Sequence, residues 1–425
     1  MKIVYVLLDG VGDLPHPDLD GLTPLEAAKS PNLDELARRG VMGKVVTVGM
    51  GIAPQSDIAV YNMLGYDFKG ENYVGRGVIE IIGSGIDFRD GDLALRGNFA
   101  TVNNSGMIID RRAGRQIERE EASELCHYLE ERIKFSDPHV SVKIVPTVGH
   151  RVIIRFRHSN ISLSARITNT DPAYEKKNGI GIARSSVDSM QVMNSIAEDN
   201  DESSNQSAKM LNEFTRQCIS MANSHAVNVN RSKNQQMPMN IILLRDPGNL
   251  VPSLIPFSQK YGISASSIVD MPVEIGIAKT LGIHSVSAGG IDGFETKAQE
   301  TARLLNTFDL VYVHLKGPDE FGHDGNAVGK KENIENIDKR FFGTLSRKLE
   351  NNNVSFIISG DHSTPCVKKA HSDDPVPLMV AGNGVRNDGS KRFTESCALK
   401  GSLGLLSGAN VLGTAISIIK NAEIN

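Results

Sequence analysis

Three short apolar runs in this sequence each lead into a loop carrying residues that can bind a cation, and that recurrence constrains the fold more than any other feature. The last of them, Val354 to Ile358 within VSFIISGDHSTPCVKKAH, is rich in β-branched residues and suits a buried parallel strand better than a helix. Gly360 ends it, Asp361 and His362 follow at once, and His371 lies on the returning loop. Open α/β sheets place their ligands at the carboxyl ends of strands, and carboxylate with imidazole suits a divalent cation such as Mn or Zn. Taken alone, an Asp-His pair after a strand is more often a turn with a satisfied histidine. Ile3 to Leu8, however, closes on Asp9-Gly10, and Leu310 to Leu315 leads into Lys316-Gly-Pro-Asp319-Glu-Phe-Gly-His323. Random turns seldom offer Asp9, Asp319, His323, Asp361, His362 and His371 together, so the pattern predicts a metal site along one edge of a sheet.

Ala53-Pro-Gln-Ser56-Asp57 leads into a hydrophobic stretch from Ile58 to Leu64, which places Ser56 at a helix start. Most serines so placed are ordinary N-caps. Near a metal site the same hydroxyl can instead be a nucleophile, its phosphoryl adduct held by helix amides and the positive end of the helix dipole.

From about Gly83 the texture changes. Asn98 to Val102, Arg151 to Phe156 and Arg166 to Thr170 read as strands, and Glu118 to Ile133 as a charged amphipathic helix, which together predict a smaller α+β unit. Two basic turns lie within it, Arg111-Arg112-Ala113-Gly114-Arg115 and His150-Arg151, either solvated surface or an anion clamp. Glu198 to Ser207 reads as a mobile loop and Asn228 to Gln236 as a linker, after which Ile241 to Leu244 resumes strand character.

At 425 residues the chain is long enough for two domains, and a net charge of -4 argues against a general nucleic-acid binder. Four cysteines without a CxxC pair fit a reducing cytosol. The amino-terminal apolar run is too short for a secretory signal or a membrane span, so a cytoplasmic protein without a membrane partner is expected.

With these residues in place the chain resembles the cofactor-independent phosphoglycerate mutases of the archaeal type, within the alkaline phosphatase superfamily. The resemblance runs over nearly the whole length, on LLDGVGD, TPLEAAKSPNLDELARRG, APQSDIAVYNMLGYD, GRGVIE, DRRAGR, GHRVIIRFR, NTDP, HLKGPDEFGHDGN, SGDHSTPC and HSDDPVP. It implies an α/β, alkaline-phosphatase-like core with a mostly parallel central sheet flanked by helices, formed by residues 1–82 and 238–425, and an inserted α+β substrate-binding domain at 83–237. It also implies two divalent ions, one on Asp319, His323 and His371, the other on Asp9, Ser56, Asp361 and His362. Manganese is the expected ion, with Mg, Co or Zn as alternatives.

Ser56 would be the phosphorylated nucleophile, with Arg111, Arg112, Arg115, His150 and Arg151 as substrate-binding residues. The activity implied is interconversion of 3-phosphoglycerate and 2-phosphoglycerate without 2,3-bisphosphoglycerate, in glycolysis and gluconeogenesis; an oligomer is compatible with the sequence. One departure stands out, for the family often has Lys-Gly where this chain reads Ile275-Gly276. Rival readings are a phosphatase, phosphodiesterase or phosphopentomutase sharing the same ligands, or a binding protein on an inactive scaffold, which an intact Ser56 and ligand set disfavour.

Overall fold

The computed structural model describes residues 1–67, 73–177, 180–184, 190–349 and 353–424. The chain divides into two compact units, Met1–Phe68 with Leu254–Asn425, and Lys69–Ser253.

The first unit is built on an eight-stranded sheet in the order His284–Val286, Ala265–Ile268, Leu310–Leu315, Ile3–Leu8, Ser355–Gly360, Val376–Ala381, Gly40–Val46, Gly404–Ser407. Val376–Ala381 runs antiparallel to both its neighbours, and the other pairings are parallel. The three apolar runs are adjacent central strands, buried on both faces as parallel strands require. Leu8 pairs in register with both Leu315 and Gly360, so the strands end level and release Asp9, Lys316 and Asp361 at one edge. On one face Val6, Val313 and Ile358 pack with Phe294, Phe341 and Phe342 from the surrounding helices. Each such side chain contributes about 1.5–3 kcal/mol by leaving water. On the other face the Tyr5 hydroxyl, deep in the core, donates to the Met63 carbonyl at 2.9 Å. That bond fastens the helix Ser56–Met63, whose residues after Ser56 are all buried.

The second unit holds an antiparallel sheet in which Leu93–Val102 pairs with Ile108–Asp110, Arg151–His158 and Ile241–Gly248, and Val140–Pro146 extends the far side. Helices Arg119–Arg132 and Glu202–Ala222 cover it, Leu125 and Phe214 sharing a core with Phe99 and Phe156.

Several expectations need correction. The compact units divide at 68/69 and 253/254, where the resemblance implies domain bounds at 82/83 and 237/238. Ile241–Gly248 belongs to the second unit because it pairs with Leu93–Val102, and the helix Arg76–Gly83 belongs there because Val78 and Ile81 pack on Ala94 and Ile153. Arg166 to Thr170 forms no strand; Ile167 makes a single bridge to Ala197. The stretch expected as a mobile loop begins the helix Glu202–Ala222, capped by Asp201, whose side chain accepts from the Ser203 amide. The expected linker contains the helix Ala226–Lys233, in which Asn228 is buried and donates to Ala222 and Met239 carbonyls. Among the described residues no helix is long and apolar enough to cross a membrane.

Candidate functional site

Asp9 leaves its strand through Gly10, whose φ of +59° and surroundings admit no side chain: a Cβ there would lie 2.7 Å from Asp319 Oδ1 and from Thr364 Oγ1. The close approach lets the Gly10 amide donate to Asp361 Oδ1 at 3.0 Å, joining two strand ends. His362 comes next, its side chain wholly buried, with Nε2 3.5 Å from Asp9 Oδ1 and 3.4 Å from Asp361 Oδ2. The same nitrogen stands 3.2 Å from Ser56 Oγ, at the first turn of its helix. Asp9, Ser56, Asp361 and His362, remote in sequence, are thus brought together.

The other expected set gathers beside it. His371 Nε2 lies 3.3 Å from Asp319 Oδ1, and its ring stacks on that of His362 with centroids 3.9 Å apart. His371 Nδ1 stands 2.7 Å from the Pro54 carbonyl, which ties this loop to the approach to Ser56. His323 is at the margin, half exposed, its Nε2 3.5 Å from Asp319 Oδ2. One ligand atom from each of Asp319, His362 and His371 falls within 4.8 Å of the others, and so does one from each of Asp9, His314 and Asp361.

His314, Glu274, Lys316 and Thr364 are site residues that sequence reasoning missed. Lys316 Nζ bridges Asp9 Oδ2 at 3.0 Å and Glu274 Oε1 at 2.5 Å. Thr364 Oγ1 donates to Asp319 Oδ1 at 2.5 Å and lies 3.0 Å from His362 Nδ1. The one signal for His314 is an imidazole inside an otherwise apolar strand, a pattern more often met as a satisfied core histidine. Behind these residues Lys330, fully buried, pairs with Asp13 Oδ2 at 2.7 Å and donates to the carbonyls of Gly12 and Thr364, pinning the loop after Asp9 to the loop after His362.

Burial alone would push the Asp9 carboxyl up, but Lys316, His362 and His314 hold it well below the usual carboxylate range. Burial likewise opposes ionisation of Glu274, which Lys316 and His314 bring down to about 2. Burial would lower His314 and His362; the surrounding carboxylates win and raise both to about 9. Protons and one lysine thus offset much of the local negative charge. Even so, Asp9 Oδ1, Asp361 Oδ2 and His314 Nε2 are buried without an aligned hydrogen-bond partner; His314 Nδ1 faces Glu274 Oε1 at 3.2 Å out of line, and Lys316 takes up that oxygen. Carboxylate and imidazole atoms left in that state fit a bound divalent cation.

In the second unit Arg111 sets a bidentate fork on Asp171, at 3.1 and 2.6 Å, so its donors are largely committed. Arg112 and Arg115 are exposed, and Arg115 has a φ of 63°. Arg151 also reaches solvent, yet its guanidinium base is hemmed in: burial, then Arg96 and Arg76, lower its pKa to about 10. Burial and the neighbouring Arg151, Arg112, Arg245 and Arg115 drive His150 down to about 4. Arg96, Arg245 and Asp246 were missed; their signal is charge inside the buried strands LALRGNFATV and IILLRDPG. Arg245 stacks on Tyr174 at 4.4 Å and reaches Asp171 and Asp246 only at 3.7 Å each.

A family model described as 2,3-bisphosphoglycerate-independent phosphoglycerate mutase matches residues 37–228. A curated protein of that name from Aeropyrum pernix is 39% identical over 99% of this chain and 100% of its own length. The namesake from Thermococcus kodakarensis is 34% identical over 99% and 98%. Among solved structures, a Pyrococcus horikoshii protein superposes with a TM-score of 0.78 at 28% identity, covering 99% of this chain and 97% of that one. A cofactor-independent phosphoglycerate mutase from Thermoplasma acidophilum gives 0.66 at 28% identity, over 98% and 99%. With full-length relatives above 30% identity and a shared fold, the chain belongs to the 2,3-bisphosphoglycerate-independent phosphoglycerate mutase family and is an isomerase.

Proposed function

We propose that the protein interconverts 3-phosphoglycerate and 2-phosphoglycerate through a phosphoserine on Ser56, at a site for two divalent cations, without 2,3-bisphosphoglycerate. The observation that carries this reading is the position of Ser56 Oγ, at a helix start and 3.2 Å from a buried histidine flanked by two carboxylates. Asp319, His323 and His371 would hold one ion, and Asp9, Ser56, Asp361 and His362 the other. Manganese suits this mixed oxygen and nitrogen set, with Mg, Co and Zn as alternatives. Once bound, such ions neutralise phosphoryl oxygens and lower the pKa of the attacking hydroxyl.

The chain's own residues divide the remaining work. As the bond from Ser56 Oγ to phosphorus forms, the hydroxyl proton departs, the phosphorus–oxygen bond to glycerate breaks, and the freed glycerate oxygen takes up a proton. The first turn of Ser56–Met63 presents the positive end of its dipole to the phosphoserine. Glycerate must then turn, so that its other hydroxyl attacks the phosphoserine and restores Ser56. During that interval it has to be held and water kept out, which distinguishes a mutase from a phosphatase. Arg112, Arg115, His150 and Arg151 would hold the carboxylate, with Arg245 and Arg96 behind them and Arg111 fixed on Asp171 as a support. The enzyme would act in the cytoplasm, in glycolysis and gluconeogenesis.

The test is to supply 3-phosphoglycerate and manganese, omit 2,3-bisphosphoglycerate, and follow 2-phosphoglycerate through enolase while acid-quenched protein is mapped by mass spectrometry. Phosphate on Ser56 during turnover is expected, with neither phosphate nor product from Ser56→Ala. Undiminished turnover by folded Ser56→Ala would overturn the reading.

A further inference from the structure

We propose that His314 is a further ligand of the ion assigned to Asp9 and Asp361, with Glu274 as the carboxylate that orients its ring; this rests on the two-ion reading above. The three histidines expected to bind metal share one arrangement. Each turns Nε2 toward a ligand carboxylate and Nδ1 toward an acceptor: His323 toward the Lys369 carbonyl at 3.2 Å, His362 toward Thr364 Oγ1 at 3.0 Å, His371 toward the Pro54 carbonyl at 2.7 Å. Fixing one ring nitrogen so that the other is presented to a metal is how ligand histidines are usually held.

His314 has similar distances on both ring nitrogens, though its Nδ1 is not aligned on its acceptor, and it comes from a different element, the strand Leu310–Leu315. Its Nε2 lies 3.5 Å from Asp361 Oδ2 and 3.8 Å from Asp9 Oδ1, and its Nδ1 lies 3.2 Å from Glu274 Oε1 on the helix Pro272–Thr280. His362 Nε2 meets the same two carboxylate oxygens at 3.4 and 3.5 Å, so both imidazoles are directed at one pair of oxygens. Neighbouring ligand atoms each about 2.1 Å from one five-coordinate ion stand about 3.0–3.6 Å apart, close to these separations. The charges agree as well. Lys316 occupies Asp9 Oδ2 and leaves Oδ1 turned toward His314 and His362. The buried atoms without aligned partners at this place, Asp9 Oδ1, Asp361 Oδ2 and His314 Nε2, are the ones an ion would engage. The competing role for His314 is a protonated counter-ion to Asp361, with no bond to metal.

Cobalt(II)-loaded full-length protein separates the two roles. A cobalt-bound imidazole gives a strongly shifted, solvent-exchangeable ring N–H proton resonance, and all four rings have an acceptor near Nδ1 to protect that proton. Four such resonances are expected, one of them lost in His314→Gln, whereas three in the wild type would overturn the proposal and leave the two-ion reading standing. A wild type that binds no cobalt would overturn both. By calorimetric titration, His314→Gln and Glu274→Gln should each weaken one of the two ions by about 10–100-fold and spare the other. Unchanged affinity for both ions in a folded His314→Gln protein would contradict the assignment. Should that variant fail to fold, the count of resonances in the wild type decides.

Discussion

The two units carry opposite electrostatic debts. In the first, Asp9, Glu274, Asp319 and Asp361 converge on one lysine and a group of imidazoles, and carboxylate oxygens remain buried without aligned partners. In the second, four arginines, Arg76, Arg96, Arg151 and Arg245, crowd three carboxylates, Glu80, Asp171 and Asp246, and Nε and Nη1 of Arg245 lack aligned partners, as does Asp246 Oδ1. Burying unmatched charge is costly, so a fold keeps it where a ligand restores the balance. One region gathers carboxylates around few cations and the other arginines around fewer carboxylates, a contrast in keeping with the proposed metal-assisted transfer on an anionic acid. The contrast with Lys330 and Asp13 is instructive, because that buried pair is fully satisfied within the protein and has structural work to do.

The largest effects should come from the first unit. Chelation, or Ser56→Ala, should reduce mutase turnover by at least about 10⁴-fold, the scale on which loss of a nucleophile acts. Ser56→Ala should still bind metal and keep its melting curve, because Ser56 is the first residue of its helix, after the N-cap Gln55, and no side-chain capping bond is lost. Calorimetry and the enolase-coupled assay check both. Activity surviving in chelator, with metal content shown to be nil, would remove the cation-seeking half of the comparison.

Next in size is Lys330→Met, which leaves Asp13 buried and unpaired. A loss of about 3–5 kcal/mol in denaturant unfolding is expected. If stability is unchanged, the pinning of the two ligand loops by Lys330 is not what holds them.

Arg245→Ala should raise KM for 3-phosphoglycerate by about 10–100-fold, as loss of a charge-assisted hydrogen bond of about 1.5–3 kcal/mol would, while metal content stays the same. Asp361→Asn should do the reverse, losing metal first. A variant of either kind that altered both quantities equally would blur the division of labour.

The smallest effects concern pH, and they too have opposite senses in the two units. His314 and His362 are raised from 6.5 to about 9, so in metal-free protein their contribution to stability is fully present below pH 6.5 and lost as pH rises toward 9. Metal affinity should increase over the same interval, because a ligand imidazole must be neutral. His150 is lowered to about 4, so its contribution is present above 6.5 and fades as pH falls toward 4. Its NMR titration should move upward when phosphoglycerate neutralises the arginines around it. Metal-free melting curves flat between pH 6.5 and 9 would contradict the first statement, and a His150 titration indifferent to the anion would contradict the second.

Much of the first unit's site is legible in the amino-acid sequence, because a parallel sheet turns a local pattern into a spatial one: a buried run followed by Asp or His puts that residue at the ligand edge. Asp9, Asp319, Asp361 and His362 all follow that rule. His314 does not, since it lies within its strand, and Glu274 comes from a helix whose packing against that strand no local pattern announces. The second unit is harder to read for a related reason. Met210, Leu211, Phe214, Cys218 and Met221 mark the body of the helix Glu202–Ala222 by their spacing, but its first turns bury Ser204 and Ser207 and Ala226–Lys233 buries Asn228 and Arg231, so hydrophobic periodicity understates those parts. The junctions differ from expectation because Arg76–Gly83 and Ile241–Gly248 are apolar enough for either unit, and only strand pairing and packing assign them.

The central claim is that the cation-seeking and anion-seeking regions serve one reaction, a transfer in which the glycerate is retained. The measurement that tests it most directly is the partition of product from 3-phosphoglycerate, 2-phosphoglycerate against free phosphate, by manganese-loaded protein without 2,3-bisphosphoglycerate. The account predicts 2-phosphoglycerate as the dominant product, with the share of free phosphate rising in Arg151→Ala and Arg245→Ala as the glycerate escapes before the return transfer. Wild-type protein that released mainly free phosphate would contradict it.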